Sequence, residues 1–224
     1  MLDRLQRMAD SYAKVKPQGL VGSVNLEIGG EKFHLTLEPE AVSVEEGHVD
    51  GALLDVVMDE KTWSRVSLGV WNGLTAGTRE RADQPAPLDF RLPPGRRFEE
   101  VKELLYHLAM HFFKQRYPHV YRYGPSNARP VHGGLAVPLV YGHGVRFAYY
   151  ALGPGEQLNE EDATNPFEQF FAVISGEGTA VVDGVEVPLE PGVAFHVPPG
   201  KTHIVRSDPT RGIELFWLGY GPGA

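Results

Sequence analysis

The chain has 224 residues, a formal net charge of −8, 42% apolar residues and no cysteine. The acidic balance speaks against a nucleic-acid scaffold or a polybasic membrane binder, and the missing thiols exclude a disulfide framework, a thiolate metal site and a cysteine nucleophile. No window approaches the ~18 uninterrupted apolar residues of a membrane span; the expectation is a protein with no nucleic-acid partner and no stable membrane insertion. The charged first turns lack the apolar stretch of a secretory signal, so the expected location is cytoplasmic.

Leu2, Leu5, Met8 and Tyr12 recur at helical spacing and predict an opening helix, ended by Pro17 and Gly19. Val24, Leu26 and Ile28 then alternate with polar residues, Gly29-Gly30 follows, and Phe33, Leu35 and Leu37 alternate again, which predicts a hairpin whose two-residue turn needs positive φ. Val42 and Val44 predict a third strand, Leu54, Val56 and Met58 a fourth. Asp59 is placed to cap a helix with Trp63, Val66, Val70 and Trp71 on its apolar side. A strand over Leu88 to Leu92 precedes a long helix from Phe98 to Gln115, with Phe98, Val101, Leu105, Leu108 and Phe112 as its buried face. Residues 117–144 are rich in Gly and Pro and read as a surface connector. Beyond it, Val145 to Ala151 alternates, and Phe170 to Ile174 reads as a strand buried on both faces. Ala180 to Val187 is a hairpin turning at Asp183-Gly184, and Val193 to Val197, His203 to Val205 and Ile213 to Leu218 complete a β unit, closed or sandwiched.

The order helix, hairpin, strand, strand, helix, with Met58-Asp59-Glu60 opening a helix and Asn72-Gly73-Leu74-Thr75-Ala76 after it, resembles the sterol carrier protein type 2 family of lipid-binding domains over about the first ninety residues. The resemblance implies an α+β domain, helices on a mixed sheet, holding an apolar small molecule such as a lipid, fatty acyl chain or sterol. The expected lining is Phe33, Leu35, Leu54, Val56, Trp63, Val66 and Val70. The same residues also read as a closed core. The strand that follows in that family is replaced here by a segment containing Pro85 and Pro87, so the tunnel edge is expected to differ.

The second half carries Gln169, six intervening residues and Gly176, and then Gly192, Pro198, Gly200 and His203 in the spacing G-x5-P-x-G-x2-H. This resembles a cupin, an all-β jelly-roll barrel. Many cupins hold a divalent ion with two histidines, an amide or carboxylate and a later histidine. Here the first motif reads Asn165-Pro166-Phe167-Glu168-Gln169, without its histidines, leaving Asn165, Gln169 and His203 as the candidate metal ligands. Neutral amide oxygens bind such metals weakly beside imidazole. No cofactor is expected, with a divalent metal as the alternative. His196 faces outward if Val193, Phe195 and Val197 face inward, and the acidic run Glu156, Glu160, Glu161 and Asp162 reads as a solvated loop or as spare carboxylates. A further alternative fills the cup with Phe167 and Phe170.

His107 and His111 share a helix face at i, i+4, but lack the glutamate of the H-E-x-x-H motif; an exposed flank and a metal pair are both open. His132-Gly133 and His143-Gly144 read as loop turns or flexible imidazole sites. Arg79, Arg81, Arg91, Arg96 and Arg97 form either an anion site or, with the interleaved acids, a mixed-sign surface. The expected organisation is an α+β domain over 1–116, a connector over 117–144 and a cupin barrel over 145–224. The expected function is non-enzymatic binding of an apolar small molecule, the cupin being a metal-free accessory with or without a polar guest of its own; the alternative is a metal-dependent isomerase or dioxygenase using Gln169 and His203. Pairing of exposed sheet edges makes a homodimer the expected assembly.

Overall fold

In the computed structural model, which describes residues 1–81 and 83–224, the chain divides into two units. The first comprises Met1–Arg79 and Gln84–Arg122; the second comprises Tyr123–Ala224 with Glu80, Arg81 and Asp83. No helix is long and apolar enough to cross a membrane among the described residues.

The first unit is α+β. Strands β1 (Gly22–Ile28), β2 (Glu31–Leu37), β3 (Val42–Glu46), β4 (Leu54–Met58) and β5 (Leu88–Arg91) form one sheet in the order β3-β2-β1-β4-β5. All pairs are antiparallel except β1 with β4. The β1–β2 turn is made by Gly29 and Gly30 at φ 59° and 89°, as the alternation on either side of them requires. Helix α1 (Leu2–Ala13) buries Leu5, Met8 and Tyr12. Asp59 caps α2 (Glu60–Ser67), its carboxylate accepting the Thr62 amide at 2.7 Å. Asn72 caps the short α3 (Gly73–Gly77) in the same way.

Two expectations for this unit are corrected. α2 ends at Ser67, and Gly69 at φ 72° turns the chain, so Val70 and Trp71 lie beyond the helix, both half-buried. The long helix is α4 (Phe98–His107) followed by a π-helical turn over Leu108–Phe112, and it stops short of Gln115. Its buried face is Val101, Leu104, Leu108 and Phe112, with Leu105 half-buried. Phe98, at the first helical position, is 41% exposed and packs edge-on against Tyr106.

The second unit is two antiparallel sheets. The larger holds β6 (Arg129–Val131), β7 (Gly134–Gly142), β8 (Val145–Leu152), β10 (Glu168–Gly176), β13 (Ala194–Val197) and β15 (Ile213–Tyr220) in the order β13-β10-β15-β8-β7-β6. The smaller holds β9 (Gln157–Leu158), β11 (Gly178–Val182), β12 (Val185–Leu189) and β14 (His203–Ser207) in the order β12-β11-β14-β9. Inward residues of both sheets, among them Tyr150, Phe171, Phe195 and Leu215 from one and Ala180, Leu189 and Val205 from the other, share one core. The arrangement is a face-to-face sandwich of the jelly-roll kind. Hydrogen bonding does not close it into a barrel among the described residues, which corrects that part of the expectation.

The expected connector contains structure. β6 and β7 run through residues 117–144 as a hairpin. Their prolines fit because Pro130 sits on an edge strand and Pro138 beside a register shift. The strand expected to be buried on both faces is buried on one: Gln169, Phe171 and Val173 point inward, whereas Phe170 and Ile174 are 40% and 38% exposed. Long apolar side chains on the solvent face produced the false run.

Candidate functional site

The inward face of β10 begins with Gln169, 1% exposed, opposite Gly219 of β15 and Val197 of β13. Two residues on, Phe171 stacks on Phe195 with centroids 4.8 Å apart, and the ring of His203, from the facing sheet and 2% exposed, lies 5.9 Å from Phe171. Trp217 and Phe167, with rings 6.3 Å apart, make a further wall, and Tyr150 meets Trp217 edge-on at 6.3 Å. Together these residues form the inward-facing group at the position of a cupin's cup, and are called the cup below.

The hydrogen bonds fix the polarity of the cup. The Trp217 indole Nε1, 3.0 Å from Gln169, can only donate, so the Gln169 atom facing it is the carbonyl oxygen Oε1. The same oxygen accepts from Asn165 Nδ2 at 3.1 Å. Both lone pairs of Oε1 are thereby engaged, and Gln169 Nε2 is left buried with no protein partner. His203 is fixed likewise: its Nδ1 lies 3.3 Å from the Lys201 carbonyl, which can only accept, so Nδ1 carries the proton and Nε2 keeps its lone pair. Burial holds the His203 pKa below the ordinary imidazole value, against a smaller opposite effect of the Lys201 carbonyl, so the ring is neutral at neutral pH. Burial also raises the Tyr150 phenol to about 12, which keeps it protonated. This group thus contains an amide donor without a protein partner and a neutral imidazole beside aromatic rings.

The divalent ion that the cupin resemblance implies does not fit these residues. Of the three candidate ligands, Asn165 faces Gln169 through an N–H, and Gln169 has spent its oxygen on two donors. His203 alone keeps a firm donor atom, and a single protein ligand does not hold a divalent ion in place. Among the described residues no group of three or more His, Asp or Glu is placed to hold a metal. His196 cannot repair the set, because it points outward and pairs with Glu168. Nor can the acidic loop: Glu156 accepts the Gly153 amide at 2.6 Å, and Glu161 reaches Arg206 on the outer face at 3.4 Å. Phe167 lines the cup as expected, but Phe170 does not. A separate open cavity of about 630 Å³ lies on the outward face of the smaller sheet, lined by Thr179, Glu186, Arg206 and Asp208, and shares no residue with the cup.

In the first unit Phe33, Leu35, Leu54, Val56, Trp63 and Val66 are all buried in one continuous core with Leu5, Met8 and Tyr12 of α1, and Val70 stands half-buried. Three of the five arginines meet neighbouring acids: Arg81 with Asp83, Arg91 with Asp89, Arg97 with Glu100. His132-Gly133 and His143-Gly144, all at positive φ, are the turns of the β6–β7 and β7–β8 hairpins. Trp217 and Tyr150 were absent from the sequence-derived site. They belong to β15, which pairs with β10, and to β8, which pairs with β15, neighbours only in three dimensions, and an alternating aromatic strand carries no mark of which residue meets an amide.

The family comparison agrees with this fold. A model described as "Cupin domain" matches residues 148–219, and that stretch is a cupin domain. Solved structures similar to the chain include a cupin 2 conserved barrel domain protein from Salinispora arenicola, at 18% identity and TM-score 0.42, covering 48% of this chain and 92% of that one. An RmlC-like cupin from Shewanella frigidimarina is 24% identical with TM-score 0.37, covering 42% and 83%. A predicted oxalate decarboxylase from Thermotoga maritima is 18% identical with TM-score 0.35, covering 39% and 79%. No curated protein matches the chain.

Proposed function

We propose that this chain is a small-molecule binding protein whose cupin cup holds a polar guest without a metal ion and without transforming it. The observation that carries the reading is Gln169 Nε2, a buried amide donor pinned by Trp217 and lacking a protein acceptor. Leaving such a group unpaired costs about 1–3 kcal/mol, and a guest carbonyl or carboxylate oxygen recovers that cost on binding. His203 Nε2 would accept a hydroxyl or amide proton from the same guest, so the favoured class is a small hydroxy acid or amide with an apolar body against Phe167 and Trp217. A thermal-shift screen of small carboxylic acids, hydroxy acids and amides on the metal-stripped chain tests this. Stabilisation by one class, lost in Gln169→Leu, is the expected result. Stabilisation only by a transition metal, dependent on His203 and accompanied by turnover, would replace it with the enzyme reading.

The apolar guest expected for the first unit is the second part of the proposal. Its support is narrower, the helix-on-sheet arrangement and one apolar core, and a guest would have to part side chains already packed together. Organic extraction of the purified protein followed by mass spectrometry tests it: a stoichiometric lipid is the expected result, and an empty extract with no uptake of fatty acids or sterols removes this part.

A further inference from the structure

The first unit contains an imidazole cluster that the cup does not involve. The π-helical turn over Leu108–Phe112 carries His111, whose ring centroid is 4.6 Å from that of His107 one turn earlier. His119 comes back from the following segment, its ring 5.6 Å from His111 and the two Nδ1 atoms 3.4 Å apart. Residues of α1 hold the outer members: Ser11 Oγ is 3.2 Å from His119 Nε2, and the Tyr12 hydroxyl is 3.1 Å from His107 Nδ1.

We propose that His111 and His119 bind a divalent transition-metal ion of the Zn²⁺ class through their Nδ1 atoms, with water completing an open coordination sphere. The spacing is that of a ligand pair: two nitrogens each about 2.05 Å from a tetrahedral zinc stand about 3.3 Å apart, so the observed separation needs almost no movement. Ser11 bears on the tautomer as well. In the tautomer whose Nε2–H donates to Ser11 Oγ, His119 turns the Nδ1 lone pair toward His111, the arrangement by which an outer hydrogen bond orients a ligating histidine. Without an ion one Nδ1–H donates to the other Nδ1 across the 3.4 Å, and a bound metal ion would take the place of that proton. Burial favours the neutral rings, lowering His111 and taking His119 to about 4. Lys114 is the opposing charge; its Nζ stands 4.2 Å over the Tyr121 ring and donates to the Val120 carbonyl at 3.4 Å. π-Helical turns are rare and recur at functional positions, and this one places His111.

The test is a titration of the EDTA-stripped full-length chain with Zn²⁺ against a chromophoric chelator. One equivalent bound is the expected result, with affinity reduced about ten-fold or more in each of His111→Gln and His119→Gln and unchanged in His196→Gln and His203→Gln. No uptake by the wild-type chain, or uptake lost in His203→Gln instead, overturns the proposal. If the His111 and His119 variants fail to fold, imidazole NMR of the wild-type chain decides: Zn²⁺ must shift the His111 and His119 ring signals, and shifts confined to other histidines overturn it.

Discussion

The orientation of the Gln169 amide can be measured by a double-mutant cycle with Trp217. Gln169→Leu removes the acceptor of the indole N–H and of Asn165 Nδ2, and it also removes the unpartnered Nε2. Losing the acceptor leaves the Trp217 N–H unpaired at about 1–3 kcal/mol, while half-buried Asn165 can turn to water and deletion of the unpaired Nε2 donor returns about as much. The single variant is therefore expected within about 1 kcal/mol of wild type. Trp217→Phe loses one hydrogen bond and some packing, about 2 kcal/mol in all. In the Gln169→Leu background the hydrogen bond is already absent, so the same substitution should cost about 1 kcal/mol less; that difference is the coupling energy. Urea unfolding followed by far-UV circular dichroism, with equal slopes across the four proteins, gives all four stabilities. Additive effects would mean that indole and amide do not interact, and the assignment of Nε2 as the free donor would fall with them.

Other consequences follow from neighbouring residues. Gly219→Ala brings a methyl within 2.7 Å of the Phe167 ring and 3.1 Å of the Trp217 ring, so it should destabilise by about 1–3 kcal/mol and alter near-ultraviolet circular dichroism; unchanged stability and spectrum would contradict the packing of the cup wall. Asp59→Ala removes a helix cap and should cost about 1 kcal/mol, read as a shift in urea midpoint. The Asp59 pKa is lowered, chiefly by the Thr62 amide, so its contribution is present above the unfolded value of about 3.9 and disappears as pH falls through the folded value; a wild-type-minus-variant difference that persists below that range would refute the assignment. The pKa of His203 is also lowered, by burial. Being a base, it contributes stability above its unfolded pKa of about 6.5 that is lost as pH falls below it. His203→Gln should therefore flatten the decline in stability of the wild-type chain on acidification, and an equally steep decline in the variant would show that the ring is not held neutral.

What the sequence made legible follows the range of the interactions involved. The Gly29-Gly30 turn, the Asp59 cap and the alternation of β1, β2 and β4 are decided within a few residues, and each stands where the pattern places it. The spacing from Gly192 to His203 marks the cupin framework because turns between strands restrict which residues fit there. Periodicity failed where local and tertiary demands diverge. Phe98 and Phe170 are apolar but face solvent, since helix end and sheet face are set by what packs opposite. Two prolines disguised β6 and β7 as a loop, although an edge strand and a register shift accommodate them.

The cup shows the same limit at the scale of one side chain. Gln169 at a motif position is equally consistent with an amide oxygen ligating an ion and with an amide N–H₂ reaching for a guest. The two readings differ only by a half-turn of the terminal amide. The choice is made by Trp217, 48 residues away in sequence, because an indole N–H cannot accept and so captures the oxygen. Asn165 reinforces the choice from the loop before β10. A cupin framework that has lost its motif histidines need not be an empty relic: with the oxygen of Gln169 tied back, the polarity presented to the interior is reversed from cation ligand to anion or carbonyl donor. Replacing Trp217 releases that constraint, and Trp217→Phe should therefore weaken any guest that Gln169 Nε2 holds even where the indole makes no contact with it, an effect visible as a smaller ligand-induced thermal shift at equal guest concentration.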